Sequence, residues 1–242
     1  MNKDISAKPR LSILALAWPA ILSNLLFSII GIATIKIVGT LGPDAIASVT
    51  TGHRIFFALQ AVLMAISAGT TALVARSWGA QDYEEAAMIT SASLWFGNGV
   101  AFLITIPCYF FAEQIAGVFG LGPETTVQAA IFIKYLSLFN VAFATNLILS
   151  SALRAAGDTI TPLWIGALTN VVNIVLTYLL VFGGYGFPAL GVPGAAIANG
   201  LSILVGVIVL LALWYGGKLI VAVGGVKSLT SKRLRKLADI GY

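Results

Sequence analysis

Uncharged, apolar runs recur along the chain, separated by short segments that carry the charged residues. A helix needs roughly 20 apolar residues to cross the hydrocarbon of a bilayer, so each run predicts a membrane span. The first runs from Leu11 to Ile35, the second lies between Arg54 and Arg76, the third between Glu85 and Glu113, and the fourth enters near Thr126 and ends at Arg154. Between Asp158 and Lys218 there is no charge at all. That stretch is roughly twice the length of one span, and Gly183-Gly184-Tyr185-Gly186-Phe187-Pro188 followed by Gly191-Val192-Pro193-Gly194 breaks it with helix-terminating residues. It therefore predicts two helices. The expectation is an all-α polytopic membrane protein with six transmembrane helices, at 11–39, 47–75, 86–112, 126–153, 161–182 and 194–216.

Composition agrees: 59% of residues are hydrophobic, 10% are charged, and the mean hydropathy is +0.97. The 14 Lys and Arg exceed the 9 Asp and Glu, but in a chain this apolar a basic surplus reports membrane orientation, and nucleic acid is set aside as a partner. One cysteine, Cys108, leaves no internal disulfide and no Cys-based metal site, and one histidine, His53, leaves zinc nothing to bind. No Ser/His, paired-carboxylate or metal constellation shares a depth, so the chain is not expected to be an enzyme and needs no cofactor. The first apolar run is longer than a signal-peptide core and lacks a clear small-residue cleavage site, which predicts that it stays in the mature protein.

Basic residues collect in cytoplasmic loops. With the N-terminus inside, the cytoplasmic segments hold Lys3, Lys8, Arg10, Arg76, Arg154, Lys218, Lys227, Lys232, Arg233, Arg235 and Lys236, against Lys36, Arg54 and Lys134 near the outer face. The chain is thus expected in the cell (inner) membrane with both termini cytoplasmic. Residues 218–242 form a basic cytoplasmic tail, where Lys232-Arg233-Leu234-Arg235-Lys236-Leu237 either stops translocation or lies along an anionic leaflet.

Polar residues inside spans are expected to face other helices or a watery cavity. Counting about 1.5 Å per residue from the outer ends of helices one, five and six, Thr34, Thr177 and Asn199 lie roughly 7 to 9 Å below that surface. Asn173 is one turn deeper on the face of Thr177, and Asn170 continues the stripe at the i, i+3, i+7 spacing of one helix face. These five residues mark either a polar pocket holding a substrate or coupling ion, or hydrogen-bonding glue between helices. All nine acidic residues fall at span ends or in loops. Lys36 is the one charge within the apolar pattern, about one turn from the outer end of helix one, and either faces the cavity or snorkels to the headgroups. His53-Arg54 reads as an interfacial anchor, with a proton relay as the alternative. Pro19 and Pro107 fall inside spans and are expected to bend helices one and three.

Several segments resemble the amino-terminal lobe of the multidrug and toxic compound extrusion (MATE) transporters. They are Trp18-Pro19-Ala20-Ile21-Leu22, Val38-Gly39-Thr40-Leu41-Gly42-Pro43-Asp44-Ala45 and Gly69-Thr70-Thr71-Ala72-Leu73-Val74-Ala75-Arg76. Leu153-Arg154-Ala155-Ala156-Gly157-Asp158-Thr159 with Thr161-Pro162, and Gly186-Phe187-Pro188-Ala189-Leu190-Gly191-Val192 before Gly194-Ala195-Ala196, complete the resemblance in order and spacing. Physically, Asp158 or Thr159 can cap the next helix, and Gly191, Gly194, Ala195 and Ala196 let helix six approach its neighbour closely.

The resemblance implies an antiporter that exports amphipathic or cationic compounds, driven by a proton or sodium gradient, through alternating access between two six-helix lobes. It differs from the family pattern in two ways. The family often carries an aspartate in helix one, which matches Thr34, and an acidic or amide residue in helix five, which matches Thr177, while its nearby asparagine matches Asn173. A threonine does not exchange protons near neutral pH, whereas hydroxyl and amide oxygens can join a weak sodium site. Family members also have about twelve helices. The last residues, Arg235-Lys236-Leu237-Ala238-Asp239-Ile240-Gly241-Tyr242, resemble the opening Arg10-Leu11-Ser12-Ile13-Leu14-Ala15-Leu16-Ala17-Trp18, where a second lobe would begin. The expected partners are therefore the lipid bilayer, a small amphipathic or cationic substrate, and a second six-helix lobe or a second copy. A truncated, non-transporting membrane protein or scaffold is the alternative.

Overall fold

The structure, a computed structural model, describes residues 13–120, 122–184, 186 and 188–222. Of the basic tail expected at 218–242, residues 223–242 lie outside the described residues. Helices run in the order α1 (Ile13–Gly39), α2 (Pro43–Leu59), α3 (Ala61–Gly79), α4 (Tyr83–Phe110), α5 (Ala112–Gly117), α6 (Pro123–Ser137), α7 (Asn140–Ala155), α8 (Ile160–Phe182) and α9 (Val192–Tyr215). By length and composition α1, α3, α4, α8 and α9 can each cross a membrane, and α6 with α7 supplies a sixth span if the pair is taken as one helix bent by 58°.

Two spans expected as single helices are interrupted. The second runs from Pro43 to Gly79 with a break at Gln60, and the fourth is broken between Ser137 and Asn140. Neither break contains a proline, whereas α1 and α4 run on through Pro19 and Pro107, Pro107 lying in the last turn of α4. At Gln60 the helical bonding continues, because its N–H donates to the Phe56 carbonyl (3.1 Å) and its carbonyl accepts from Met64 (3.0 Å). At the second break the Phe139 N–H reaches back only three residues, to Leu136 (3.1 Å). Side chains satisfy the groups around it: Thr105 Oγ1 donates to the Ser137 carbonyl (3.2 Å) and Asn140 Nδ2 to the Ala101 carbonyl (3.0 Å). Gln60 Nε2 donates to Asn140 Oδ1, tying the two interruptions to each other. Polar side chains re-satisfying backbone groups are what allow a broken helix at membrane depth.

The helices pack in three groups, α8 against α9 with α1 along α8, α3 with α4 and α7, and α2 with α6. Leu63, Ile66, Leu94, Ile148, Leu149 and Leu153 form the centre of one apolar cluster, and Val38, Val49, Phe56, Phe132, Leu136 and Val181 that of another. Close approach is set by small residues, as in other membrane bundles. A Cβ on Gly194 would collide with the Leu180 carbonyl, and one on Gly200 with the Phe139 ring. Leu190 and Gly191 donate backbone N–H groups to Leu180 (2.9 Å) and Val181 (3.2 Å), fastening the start of α9 to the end of α8.

Helix N-termini carry the acidic residues among those described. Asp158 Oδ1 accepts from the Thr161 N–H (2.9 Å), so Asp158 and not Thr159 supplies the side-chain cap of α8. Asp82 caps α4 through the Glu85 N–H (3.0 Å). Gly157 has φ +95°, and the Asp158 N–H bonds back to Leu153 (2.9 Å), a left-handed close of α7 that glycine makes cheap. Ile21, Leu25, Ile29 and Ile32 on α1 and Val171 and Val175 on α8 are exposed, as helices facing lipid require.

Candidate functional site

The polar stripe of α8 turns inward. Asn170, Asn173 and Thr177 are buried, as is Thr34 on the neighbouring α1, and Asn199 on α9 is half-buried. Because α8 packs between α1 and α9, the residues expected to share a depth lie on three mutually packed helices. Hydrogen bonds join only some of them. Asn173 Nδ2 donates to Ser202 Oγ (3.2 Å), and Ser202 Oγ donates to the Asn199 carbonyl (2.7 Å). Asn170 Nδ2 is used within its own helix, on the Gly166 carbonyl (3.0 Å). Ser202 was not singled out from the sequence, although it stands one turn beyond Asn199 in an apolar run, the signal that marked the others.

Three oxygens of the stripe, Asn170 Oδ1, Asn173 Oδ1 and Thr177 Oγ1, are buried without a hydrogen-bond partner. A threonine inside a helix ordinarily donates to the carbonyl one turn back, as Thr169 does to Ile165, Thr70 to Ile66 and Thr90 to Ala86, each at 2.8 Å. Thr177 forgoes that bond. Leaving a buried polar atom unsatisfied costs about 1–3 kcal/mol, so such atoms call for an explanation. Both amide nitrogens of the stripe already donate, and the unused valences are oxygens. Their complement is a cation, a water or another hydrogen-bond donor.

No carboxylate is there to titrate. The acids among the described residues stand at helix N-termini: Asp44 on α2, Asp82, Glu84 and Glu85 on α4, Glu113 on α5, Glu124 on α6 and Asp158 before α8. Acidic side chains there favour the helix dipole and offset the free amides. No group of three His, Cys, Asp or Glu suited to a metal ion occurs among the described residues.

A second polar cluster lies between α3, α4 and α7. The Ser67 and Ser151 hydroxyls are 2.6 Å apart, Arg154 Nη2 donates to Ser151 Oγ (3.2 Å), and Thr145 Oγ1 donates to Asn98 Oδ1 (3.0 Å). These groups satisfy one another, the pattern of interhelical glue. His53 packs its ring against Phe132 at 5.4 Å. Lys36 is exposed at the surface of α1.

The sequence model of the MatE family matches residues 19–179. A relative called probable multidrug resistance protein NorM, from Thermotoga maritima, is 32% identical over 209 residues, covering 85% of this chain and 44% of its own. The uncharacterized transporter YisQ of Bacillus subtilis is 23% identical, covering 95% of this chain and 51% of its own. Among solved structures, the fold is similar to that of a multidrug resistance MATE family transporter of the MOP superfamily in its outward-facing conformation. The TM-score is 0.86 at 22% identity, over 95% of this chain and 50% of that one. A MOP superfamily transporter from Pyrococcus furiosus gives a TM-score of 0.85 at the same identity and shares. The chain thus spans about half the length of the relatives it matches.

Proposed function

The chain belongs to the MATE multidrug transporter family, and from that membership we propose that it forms one wall of an export pathway for amphipathic or cationic compounds. A second six-helix lobe, on another polypeptide or a second copy of this chain, supplies the opposite wall. Alternating access needs two bodies that rock around a shared site, and six spans provide one body. In this reading the protein resides in the cell membrane with both termini cytoplasmic.

The observation that carries the proposal furthest is the set of unpartnered buried oxygens on α8. They are neutral acceptors, so any coupling ion taken up by this lobe is a metal cation of the sodium type and not a proton. Thr34 and Thr177 cannot bind or release protons near neutral pH. Without a carboxylate the sodium site is weak, which makes the driving force a gradient working on a loosely held ion.

The test is dye efflux from proteoliposomes under an imposed sodium or proton gradient, with the chain alone, with a six-helix partner, and with Thr34→Asp or Thr177→Asp in that pair. Sodium-driven efflux that needs the partner or a dimer is the expected result, with proton-driven efflux appearing only in an aspartate variant. Gradient-driven efflux by a purified monomer overturns the two-lobe reading, and proton-driven efflux by the unaltered pair overturns the assignment of the ion.

A further inference from the structure

The two helix breaks are parts of one junction. Gln60 Nε2 donates to Asn140 Oδ1, Asn140 Nδ2 reaches the Ala101 carbonyl of α4 (3.0 Å), and Thr105 Oγ1 of α4 reaches the Ser137 carbonyl (3.2 Å). The second, third and fourth spans therefore meet at one level, and each is weakened there. α2 gives way to α3 at Gln60 and α6 to α7 at 138–139, while Pro107, two residues beyond Thr105, offers no N–H to the Leu103 carbonyl of α4.

On one side of this level α2 and α6 are fastened together. Ser48 Oγ of α2 donates to the Thr125 carbonyl of α6 (3.2 Å), Thr125 Oγ1 donates to Asp44 Oδ1 (3.3 Å), and a Cβ on Gly52 would strike the Phe132 ring. On the other side the bonds of Ser67 with Ser151 and of Thr145 with Asn98 hold α3, α4 and α7 to one another. α2 packs mainly on α6 and only slightly on α3, which continues its own span. Phe132 and Leu136 of α6 meet the third group of helices in an apolar cluster with Val38, Val181 and Ala195, a contact without direction.

The amides at the junction are unevenly used. The Ala101 carbonyl accepts from both Asn140 Nδ2 and Thr105 Oγ1 (2.9 Å), while Oε1 of the buried Gln60 accepts from nothing. Turning Asn140 Nδ2 from the Ala101 carbonyl to Gln60 Oε1 would make a reciprocal amide pair. One bond is lost and one is made, and Ala101 keeps Thr105. The count of hydrogen bonds does not separate the two arrangements, so neither excludes the other from the ensemble.

We propose that this junction is a hinge, at which the α2–α6 pair tilts as one body against α3, α4 and α7 while Asn140 Nδ2 exchanges the Ala101 carbonyl for Gln60 Oε1. Phe139, set against Gly200 of α9, is the pivot. The tilt opens or closes the end of the bundle that carries Pro43 and Pro123, and it does not depend on the transport reading.

The test is pulsed EPR on the full chain in lipid nanodiscs, reading distances between paired spin labels on introduced cysteines, with the buried Cys108 left in place. Labels replace exposed residues: Val127 of α6 with Glu84 of α4 spans the hinge, while Ala58 with Val127 and Ala72 with Glu84 each stay within one body. The spanning pair is expected to give two distances and each internal pair one. Gln60→Met removes the second acceptor and leaves Asn140 on Ala101, so the component that departs from the described arrangement should fall about fivefold. Pro107→Ala gives α4 back its bond to Leu103 and should also reduce that component. An exposed proline replaced by alanine within a helix keeps the fold, so this variant decides the matter if Gln60→Met does not fold. A single distance for the spanning pair in the unaltered protein overturns the proposal. So do two distances that persist unchanged in a folded Gln60→Met or, failing that variant, in Pro107→Ala, and so do two distances for an internal pair.

Discussion

Thr177 carries a hydroxyl that passes up an available bond to its own helix, and its replacement separates the two readings of the stripe. Thr177→Val keeps the shape and removes an unpartnered oxygen, so it should leave the melting temperature in detergent unchanged or raise it. Sodium replacing choline at constant ionic strength should stabilise the parent protein by mass action and not the valine variant. A large loss of stability in choline would instead make the hydroxyl interhelical glue. The opposite behaviour is expected at Gln60 and Asn140. Asn140→Ala removes bonds to Gln60 and to the Ala101 carbonyl and strands the buried Gln60 amide, so unfolding should become easier by about 1–3 kcal/mol. Gln60→Leu with Asn140→Leu together should cost less than the sum of the singles, because each single strands the other's partner. The stripe was legible because three polar residues at one-face spacing stand out in an uncharged run. Gln60 and Asn140 were not, because each is polar in a run without a repeating partner, and the bond between them joins residues 80 positions apart.

At the level of helices, ends were easier to read than interruptions. Gly157-Asp158 signals both the close of one helix and the cap of the next, and the capping carboxylate is found there. The bend in the fourth span has no such local mark. It is fixed by Phe139 seated against Gly200 and by polar groups on α4 and at Gln60, all remote in sequence. Glycine substitutions should rank by what they meet. Gly194→Ala presses on the Leu180 backbone, which cannot turn aside, whereas Gly206→Ala meets the Thr169 hydroxyl, which yields only by giving up its bond to the Ile165 carbonyl. Gly194→Ala is therefore expected to lower stability by about 1–3 kcal/mol and Gly206→Ala by less, as read from unfolding curves in mixed micelles.

For the molecule as a whole, orientation is open to direct measurement. The lone cysteine, Cys108, is buried, so single cysteines can be introduced without removing it. Pro123 opens α6 and Gly79 closes α3, both exposed, and they lie at opposite ends of the bundle. With both termini cytoplasmic, an impermeant maleimide added to intact cells should label a cysteine at Pro123 and spare one at Gly79; the reverse pattern would invert the topology.

The bent fourth span also bears on how the chain enters the membrane during synthesis. Its halves have 15 and 16 residues, about 23 Å each against roughly 30 Å of hydrocarbon, so neither crosses alone. A nascent chain ending at Ser137 would present the insertion machinery with a segment too short to hold. Asn140, the polar residue that fastens the bend in the folded protein, stands at the start of the half still to come. The fourth crossing is thus expected to be completed only after α7 has been made, late enough for α2, α3 and α4 to be waiting for it. A reporter fused after Ser137 should be found on both sides of the membrane, and one fused after Gly157 on a single side.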